Sequence, residues 1–281
     1  MHGGSIGEVK IWIGTSGWHY KHWLGVFYTP GTSGREMFEF YARHFDTVEI
    51  NNSFYRLPSA TTFDSWRDSA PDGFCFAVKG SRFITHMKKL KDPKSSSEKF
   101  FLVADRLRKK LGPILFQLPP RWKVNVERLS EFLAVLPNGH KYVVEIRDES
   151  WLIAPVFELL RKYNVAFCIH DFADMKVPNE ITADFTYIRF HGPTSAKYFG
   201  SYSNKDLRKW AERIEGWRER LSTVYVYFNN DPGGEAVKNA LTLKKLVHKG
   251  QLCLKSRKSS LDRVSTGSGS DLVGDQRCDI F

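Results

Sequence analysis

Eight short apolar runs recur along this chain, and a longer polar or amphipathic segment separates each run from the next. They are KIWIGTS (10–16), TVEINN (47–52), FCFAVKG (74–80), PILFQLP (113–119), YVVEIRD (142–148), VAFCIHD (165–171), TYIRFHG (186–192) and VYVYFNN (224–230). Each run has the length of a strand and is rich in β-branched and aromatic residues. Such nearly continuous apolar character is typical of strands buried on both faces of a parallel sheet.

The segments between the runs carry helix signals. Amphipathic patterns occur at 35–45, 95–112, 126–136, 154–164, 206–221 and 235–247. Their apolar residues recur at three- and four-residue spacing, which is the period of a helix with one buried face. The segment 172–185 is shorter, and its pattern is ambiguous. Strands that alternate with helices predict an α/β fold with a parallel sheet.

Eight such units within residues 10–248 predict a single (β/α)8 TIM barrel. An open doubly wound sheet is the alternative, but no strand is followed by a GxGxxG or Walker sequence. Residues 1–9 are predicted to be a flexible N-terminus. Residues 249–281 are rich in Ser, Gly and charge and lack periodicity, so they are predicted to form a polar, disordered tail.

Composition narrows the class of protein. The formal net charge is +11, so anionic partners are expected, although the basic tail contributes to that excess. The four cysteines form no CxxC pair, which argues against a zinc site or a disulfide framework and favours a reducing compartment. No secretory signal or membrane-length apolar run is present, and the expected location is the cytoplasm.

The alternation of side chains between the two faces of each strand gives the most specific expectation about function. In residues 142–148, Val144 and Ile146 share one face of the strand, whereas Glu145 and Arg147 share the other. In the other runs, too, one face is apolar and the other becomes polar toward the C-terminal end. In a barrel these polar positions meet at the C-terminal mouth, where the active sites of such barrels lie. The predicted ring contains Ser16, Glu49, Asn51, Lys79, Gln117, Glu145, Arg147, His170, Arg189, His191 and Asn229.

The charges in this ring suggest its ligand. Three cationic residues accompany two glutamates, so the mouth is predicted to be net positive and to bind a small anion, with phosphate favoured over carboxylate. Lys79, Arg82, Arg147 and Arg189 are expected to hold the anion, with Ser16, Asn51, Gln117, Asp148 and Asn229 as further binding groups. Glu49 and Glu145 are the candidate acid and base, with His170 and His191 as additional catalytic candidates. Trp18 and Tyr55 are candidate stacking residues for a sugar-like substrate.

The chain resembles the domain-of-unknown-function-72 family, also called the YecE-like family. The resemblance rests on IGTSGW (13–18), FYARHFDTVEINNSFYRLPS (40–59), FAVKGSRFITH (76–86), LGPILFQLPP (111–120), VVEIRDESW (143–151), YIRFHG (187–192) and VYVYFNNDPGG (224–234). It covers roughly residues 10–248 and implies a TIM-barrel fold. It supplies no reaction, so function must be argued from the site.

Three alternatives to an enzyme for small anions stay open. A metal-dependent hydrolase or isomerase would use the Glu, His and Asp residues of the mouth as ligands, but no HxH or HExxH spacing supports it, and no cofactor is predicted. A nucleic-acid-processing protein would use the net positive charge and the aromatic loops. A ligand-binding barrel without catalysis would use the same ring, which could also be a purely structural polar network.

Overall fold

The barrel predicted from the sequence is present in the computed structural model, which describes residues 9–172, 175–194 and 198–266, with side chains to residue 250. The strands are β1 (Lys10–Thr15), β2 (Thr47–Ile50), β3 (Cys75–Lys79), β4 (Leu111–Gln117), β5 (Tyr142–Glu145), β6 (Ala166–His170), β7 (Phe185–Phe190) and β8 (Thr223–Phe228). All pairs are parallel, and the order is β1-β8-β7-β6-β5-β4-β3-β2. The eight predicted strands are therefore confirmed as one nearly closed barrel.

Helices follow most of the strands. They are α1 (Gly34–Ala42), α2 (Asn52–Tyr55), α3 (Ala60–Ser69), α4 (Pro93–Ala104), α5 (Val126–Ala134), α6 (Ala154–Lys162), α7 (Asn204–Gly216) and α8 (Glu235–Thr266). Each segment with a predicted amphipathic pattern contains one of them. The described part of the ambiguous segment 172–185 contains no helix before β7 begins.

Helix α3 was not among the predicted helices. Its sequence, ATTFDSWRDS, has few apolar residues and several Thr, Ser and Asp residues, which have modest helix propensity. The helix begins at a serine cap, where the Ser59 hydroxyl accepts a hydrogen bond from the Thr62 amide. Phe63 is fully buried and fixes the helix to the barrel. A local cap and one buried ring therefore stabilise a helix that the hydrophobic period does not reveal.

Two separate apolar clusters confirm the predicted side-chain phases. The larger one lies between the sheet and the helices and includes Val144 and Ile146 of β5. The smaller one fills the barrel interior below the mouth. Its members are Trp12, Cys75, Ala77, Leu115, Val143, Ala166, Cys168, Phe185, Tyr187, Tyr225 and Tyr227. The interior is thus a packed core, and only its uppermost layer is charged.

The barrel has one irregular seam, between β1 and β2. Every other neighbouring pair of described strands is joined by ladder hydrogen bonds, whereas β1 and β2 stand at the two ends of the strand order. The Tyr41 hydroxyl of α1 bridges them: it accepts from the Thr15 amide at 3.0 Å and donates to the Thr47 carbonyl at 3.0 Å. Gly14 permits this close approach, because a Cβ there would lie 2.3 Å from the Thr47 carbonyl oxygen.

The C-terminal helix passes the predicted end of the barrel. Helix α8 runs from Glu235 to Thr266, so the predicted tail begins inside it at residue 249. Residues 267–281 and nearly all of the predicted flexible segment 1–9 lie outside the described residues. Within the described chain, no helix combines the length and apolar character needed to cross a membrane.

Candidate active site at the barrel mouth

Arg189 of β7 is the centre of the polar layer. Its side chain is 1% exposed, and its Nη2 donates to Glu49 Oε1 at 2.7 Å. Its Nη1 donates to Glu145 Oε2 at 2.6 Å. Glu49 also accepts from the Ser16 hydroxyl and from the Tyr187 hydroxyl, each at 2.6 Å. Two fully buried carboxylates and one guanidinium therefore connect β2, β5 and β7 through the barrel interior.

Arg147, two residues beyond the end of β5, forms the next part of the layer. Its guanidinium pairs with Glu145 and also lies 2.9 Å, through Nη2, from His191 Nε2. The carbon of the guanidinium stands 3.6 Å from the centre of the Phe172 ring. The Nη1 donor of Arg147 is buried and has no hydrogen-bond partner among the described residues. The Nε donor of Arg189 is likewise buried without a partner there, so each of the two arginines keeps an unused charged donor.

Lys79, the last residue of β3, is the third cation. Its side chain points toward the mouth, the residue is 8% exposed, and its ammonium lies 4.2 Å from the centre of the Phe54 ring. No ion pair joins it to a carboxylate within the described residues. Burial lowers the pKa of Lys79 to about 7, and the nearby Arg189 adds to this effect. Lys79 therefore changes its charge near neutral pH.

Glu145 is held in its ionised form. Burial alone would raise the pKa of Glu145, but the guanidinium groups of Arg147 and Arg189 outweigh it and hold that pKa well below the usual range. Removing either arginine would leave a buried charge without its partner, which is costly. Glu145 consequently acts as a fixed anion between two arginines.

His170 uses both ring nitrogens within the protein. Its Nε2 donates to the Ile146 carbonyl at 2.7 Å, and its Nδ1 accepts from the Phe172 amide at 3.2 Å. These contacts require the neutral ring with its proton on Nε2. Burial lowers the pKa of His170 to about 4. The predicted catalytic role of His170 is untested, and this geometry leaves neither nitrogen free for a substrate.

His191 is neutral as well. Its Nε2 faces the Nη donors of Arg147 and Arg189, so the ring proton resides on Nδ1, 3.7 Å from Asp171. Burial and the two arginines hold the pKa of His191 well below its usual value. The Asp171 carboxylate accepts from the His191 amide at 2.7 Å and from the Tyr202 hydroxyl. With both histidines neutral, any excess positive charge in the layer depends on Lys79.

Three of the amides predicted for the site lie at its edge. The Asn51 side chain donates to the Ser16 carbonyl at 3.3 Å, and its Oδ1 is buried without a partner among the described residues. Gln117 is half-buried at the end of β4 and is paired in register with Glu145. Asn229 is half-buried just after β8. All three are therefore placed close to the end of a barrel strand, as the sequence predicts.

Four predicted site residues stand apart from the polar layer. Trp18 packs edge-on against Phe38 and Trp66 and lines a cavity of about 610 Å³ on the helix side of β1 and β2. Asp148 accepts from the Ser150 amide at 3.0 Å and pairs with Lys123, so it caps the turn after β5. The other two are exposed: Tyr55 is the last residue of α2, and Arg82 lies in the segment after β3.

Sequence reasoning missed three residues that shape the site. Tyr187 donates to Glu49, Phe172 lies under Arg147, and Phe54 lies under Lys79. Tyr187 is two residues before Arg189 on the same strand, so strand alternation alone predicts that it also faces the barrel interior. The contact of Phe54 depends on the short helix α2, and that of Phe172 depends on loop conformation; the sequence gives no signal for either. These rings give the two cations apolar surroundings and favourable contact with aromatic faces.

The metal-binding alternative receives no support from the geometry. Within the described ranges, no group of three or more His, Cys, Asp or Glu side chains is arranged to hold a metal ion. Glu49 and Glu145 are engaged by arginines, and those cations would repel a metal ion. Cys75 and Cys168 are buried as free thiols in the barrel interior.

Comparison with known proteins decides the family. The model of a family described as "Protein of unknown function DUF72" matches residues 12–261. This chain belongs to the DUF72 family. The resemblance noted in the sequence motifs is thereby confirmed for this DUF72 chain over most of its length.

Individual relatives agree with this assignment. The DUF72 chain is 26% identical over 269 residues to the UPF0759 protein YunF of Bacillus subtilis, covering 84% of this chain and 94% of YunF. It is 30% identical over 138 residues to the UPF0759 protein YecE of Escherichia coli K12, covering 49% of this chain and 48% of YecE. A DUF72 crystal structure from Thermotoga maritima has a TM-score of 0.77 and 29% identity, covering 85% of this chain and 99% of that one. These likenesses support family and fold, and the chemistry follows from the site itself.

Proposed function

We propose that this barrel is an enzyme that binds a small anionic substrate, phosphorylated or carboxylated and sugar-like, at its C-terminal mouth. The supporting observation is the free donor of Arg147. Its side chain is 4% exposed, yet Nη1 has no acceptor among the described residues. A buried charged donor without a partner loses the free energy of its former hydration. A phosphate or carboxylate oxygen would supply the missing acceptor.

Lys79 supports the same ligand. Its ammonium is largely withdrawn from water and lies over the aromatic ring of Phe54. Such a charge is stabilised far more by an anion than by a neutral molecule, because few water molecules screen the interaction. Arg147 follows β5 and Lys79 ends β3, and the C-terminal ends of these strands face the same mouth. An anion placed at the mouth would meet both cations.

The acid–base assignment differs from the one that the sequence suggested. A general acid must carry a proton at the working pH, and Arg147 and Arg189 oppose protonation of Glu145. Lys79 has a pKa near neutrality and is the better candidate for proton transfer. In this proposal Glu49 and Glu145 orient the arginines, and Lys79 and Arg147 contact the substrate.

Aromatic rings around the mouth suit a sugar-like body. Tyr55 is 73% exposed and Phe199 is 56% exposed, whereas the Tyr198 ring lies in tilted contact with the rings of His191 and Phe172. Exposed aromatic side chains on the rim of a polar pocket can cover the apolar face of a sugar ring. They would exclude water from one side of the substrate while Arg147 holds the charged group.

Calorimetric titration with sulfate and with sugar phosphates tests the anion site. We expect Arg147→Met to lower sulfate affinity by roughly tenfold or more, as expected for loss of a charge-assisted hydrogen bond. Arg161→Met is the matched control, because Arg161 pairs with Glu180 on the exposed face of α6. Equal affinities in the wild type and Arg147→Met would rule out this site.

An assay for substrate conversion distinguishes an enzyme from a protein that only binds its ligand. A panel of phosphorylated and carboxylated sugars, with products followed by mass spectrometry, should show conversion that Arg147→Met reduces. Saturable binding without conversion of any compound would favour the ligand-binding alternative. Conversion that a chelator abolishes would favour the metal-dependent hydrolase or isomerase. Binding of oligonucleotides in place of small anions would favour a nucleic-acid-processing protein.

A further inference from the structure

We propose that Lys79 is the covalent nucleophile of this site and forms an imine with a carbonyl carbon of the anionic substrate that Arg147 holds. The inference rests on the proposed anion site and adds a class of reaction and a class of substrate. The substrate would carry both an anionic group and an aldehyde or ketone. A 2-oxo acid and a phosphorylated sugar in its open-chain form both meet this description.

The position of Lys79 suits a nucleophile better than a simple anion holder. It ends a strand that is paired on both sides, with β2 and with β4. The Ser53 hydroxyl donates to its backbone carbonyl at 2.6 Å, which fixes the point from which the side chain extends. The Nζ atom lies against Phe54 and has no carboxylate partner among the described residues. A nucleophilic amine must be free of such a partner, because an ion pair would keep it protonated.

The surroundings favour the neutral amine. Burial is the largest influence, and Arg189 and Arg147 reinforce it, whereas Glu145 and Glu49 oppose it. The outcome is a pKa of about 7 for Lys79, so a substantial fraction of the side chain is unprotonated at neutral pH. Desolvation beside other cations is a recognised way to activate a lysine for imine formation.

The proposed step balances without a further reagent. The Nζ lone pair forms a bond to the carbonyl carbon, and the π electrons of the C=O bond move to oxygen, which takes up a proton. Nitrogen then loses a proton, the oxygen is protonated again and leaves as water, and a C=N bond forms. One amine and one carbonyl thus give one imine and one water. The protonated imine can accept electrons from a bond to the adjacent carbon while Arg147 keeps the anionic group in place.

Pyridoxal 5′-phosphate is a suitable probe, because it combines an aldehyde with a phosphate. We expect the full-length protein, treated with this probe and then borohydride, to be labelled at Lys79 in peptide mass spectra. Lys88, a half-buried lysine paired with Asp92 near the same mouth, is the internal reference. Lys79 should react roughly tenfold faster than Lys88 at neutral pH, since burial beside other cations favours the free amine of Lys79. Sulfate should slow the labelling of Lys79 by competing for Arg147.

Two variants and one independent measurement complete the test. Lys79→Met should abolish the fast labelling, whereas Lys88→Met should leave it unchanged. Labelling that is no faster at Lys79 than at Lys88 in the wild-type protein would overturn the proposal even if Lys79→Met failed to fold. If sulfate binds and depends on Arg147 in that case, the anion site stands and only the imine fails. If sulfate does not bind either, the proposed function fails as well.

Discussion

Arg189 of β7 donates to Glu49 of β2 across 2.7 Å, although the two residues are 140 positions apart in the chain and their strands are not neighbours. The same guanidinium reaches Glu145, so two buried negative charges depend on one buried positive charge, with Arg147 as the second cation. Such a set is costly to bury and more costly to break, because each remaining charge would have no partner. The arrangement therefore contributes to the stability of the barrel and, in the proposed function, to the binding of an anion.

Arg189→Met should destabilise the barrel strongly. We expect a loss of about 3–5 kcal/mol in the free energy of unfolding, because the change leaves Glu49 and Glu145 underpaired in the interior. Urea denaturation followed by circular dichroism measures it. The exposed pair Arg161–Glu180 provides the comparison, and Arg161→Met should cost no more than about 1 kcal/mol. Similar losses for the two variants would show that the buried network is energetically unimportant.

The affinity for sulfate should fall as the pH rises through neutrality. Lys79, with a pKa of about 7, is positive below that pH and neutral above it, whereas sulfate keeps its charge. Between about pH 6 and pH 8 the affinity should drop roughly tenfold. In Lys79→Met the affinity should be lower and nearly independent of pH over this range. A wild-type affinity that does not change with pH would argue that Lys79 lies outside the anion site.

Acidification should destabilise the protein before its carboxylates are protonated. Burial lowers the pKa of His170 from 6.5 to about 4, so the unfolded chain takes up a proton at a higher pH than the folded chain does. The contribution of His170 to the free energy of unfolding is fully present above about pH 6.5. It is lost progressively as the pH falls toward 4, by about 3 kcal/mol in all.

Unfolding curves at several pH values measure this slope. His170→Gln should flatten the dependence of the unfolding free energy on pH between 4 and 6.5, whatever its effect on stability at pH 7. His191 acts in the same direction, because its pKa is also depressed, so part of the slope should persist. His19→Gln, at an exposed position, should leave the slope unchanged. An unchanged slope in His170→Gln would contradict the assigned neutral state.

Tyr41→Phe should weaken the seam of the barrel. The change removes one hydroxyl but leaves two buried backbone groups, the Thr15 amide and the Thr47 carbonyl, without that partner. The expected cost is about 1–3 kcal/mol in the free energy of unfolding, with no effect on sulfate affinity. Tyr163→Phe, directly after α6, is a control of the same chemistry, since Tyr163 is only half-buried. A cost no greater than that of Tyr163→Phe would show that the bridge contributes little.

Strand alternation predicted much of the fold and the interior layer. The period of two places Glu49, Glu145 and Arg189 on the inner face, because their sequence neighbours are large apolar residues that require the helix side. The barrel then brings the C-terminal ends of all strands to one mouth. Local sequence and general topology are sufficient for that step.

Which cation pairs with which carboxylate in the polar layer could not be predicted from the sequence. Whether Lys79 or Arg189 pairs with Glu49 depends on side-chain length and on the position of each strand around the barrel. Trp18 and Asp148 follow strand ends, and loop conformation turns them to the helix-side core and to a turn cap. The altered pKa of Lys79 arises from burial and from neighbours that are distant in sequence, so the sequence alone contains no sign of it.

The bridge at Tyr41 also has a consequence for motion. Separating β1 from β2 requires the loss of the hydrogen bonds at the Tyr41 hydroxyl and of those that join Ser16 to Glu49 and Asn51, whereas separating any other described pair breaks a whole ladder. Local opening at this boundary should therefore have a lower free energy than global unfolding, and the Thr15 amide should exchange its hydrogen through that opening. Ser16, which bonds to Glu49, is the next residue along the chain. Transient water entry at the seam would then reach the charged layer from the side of the barrel, independently of its mouth.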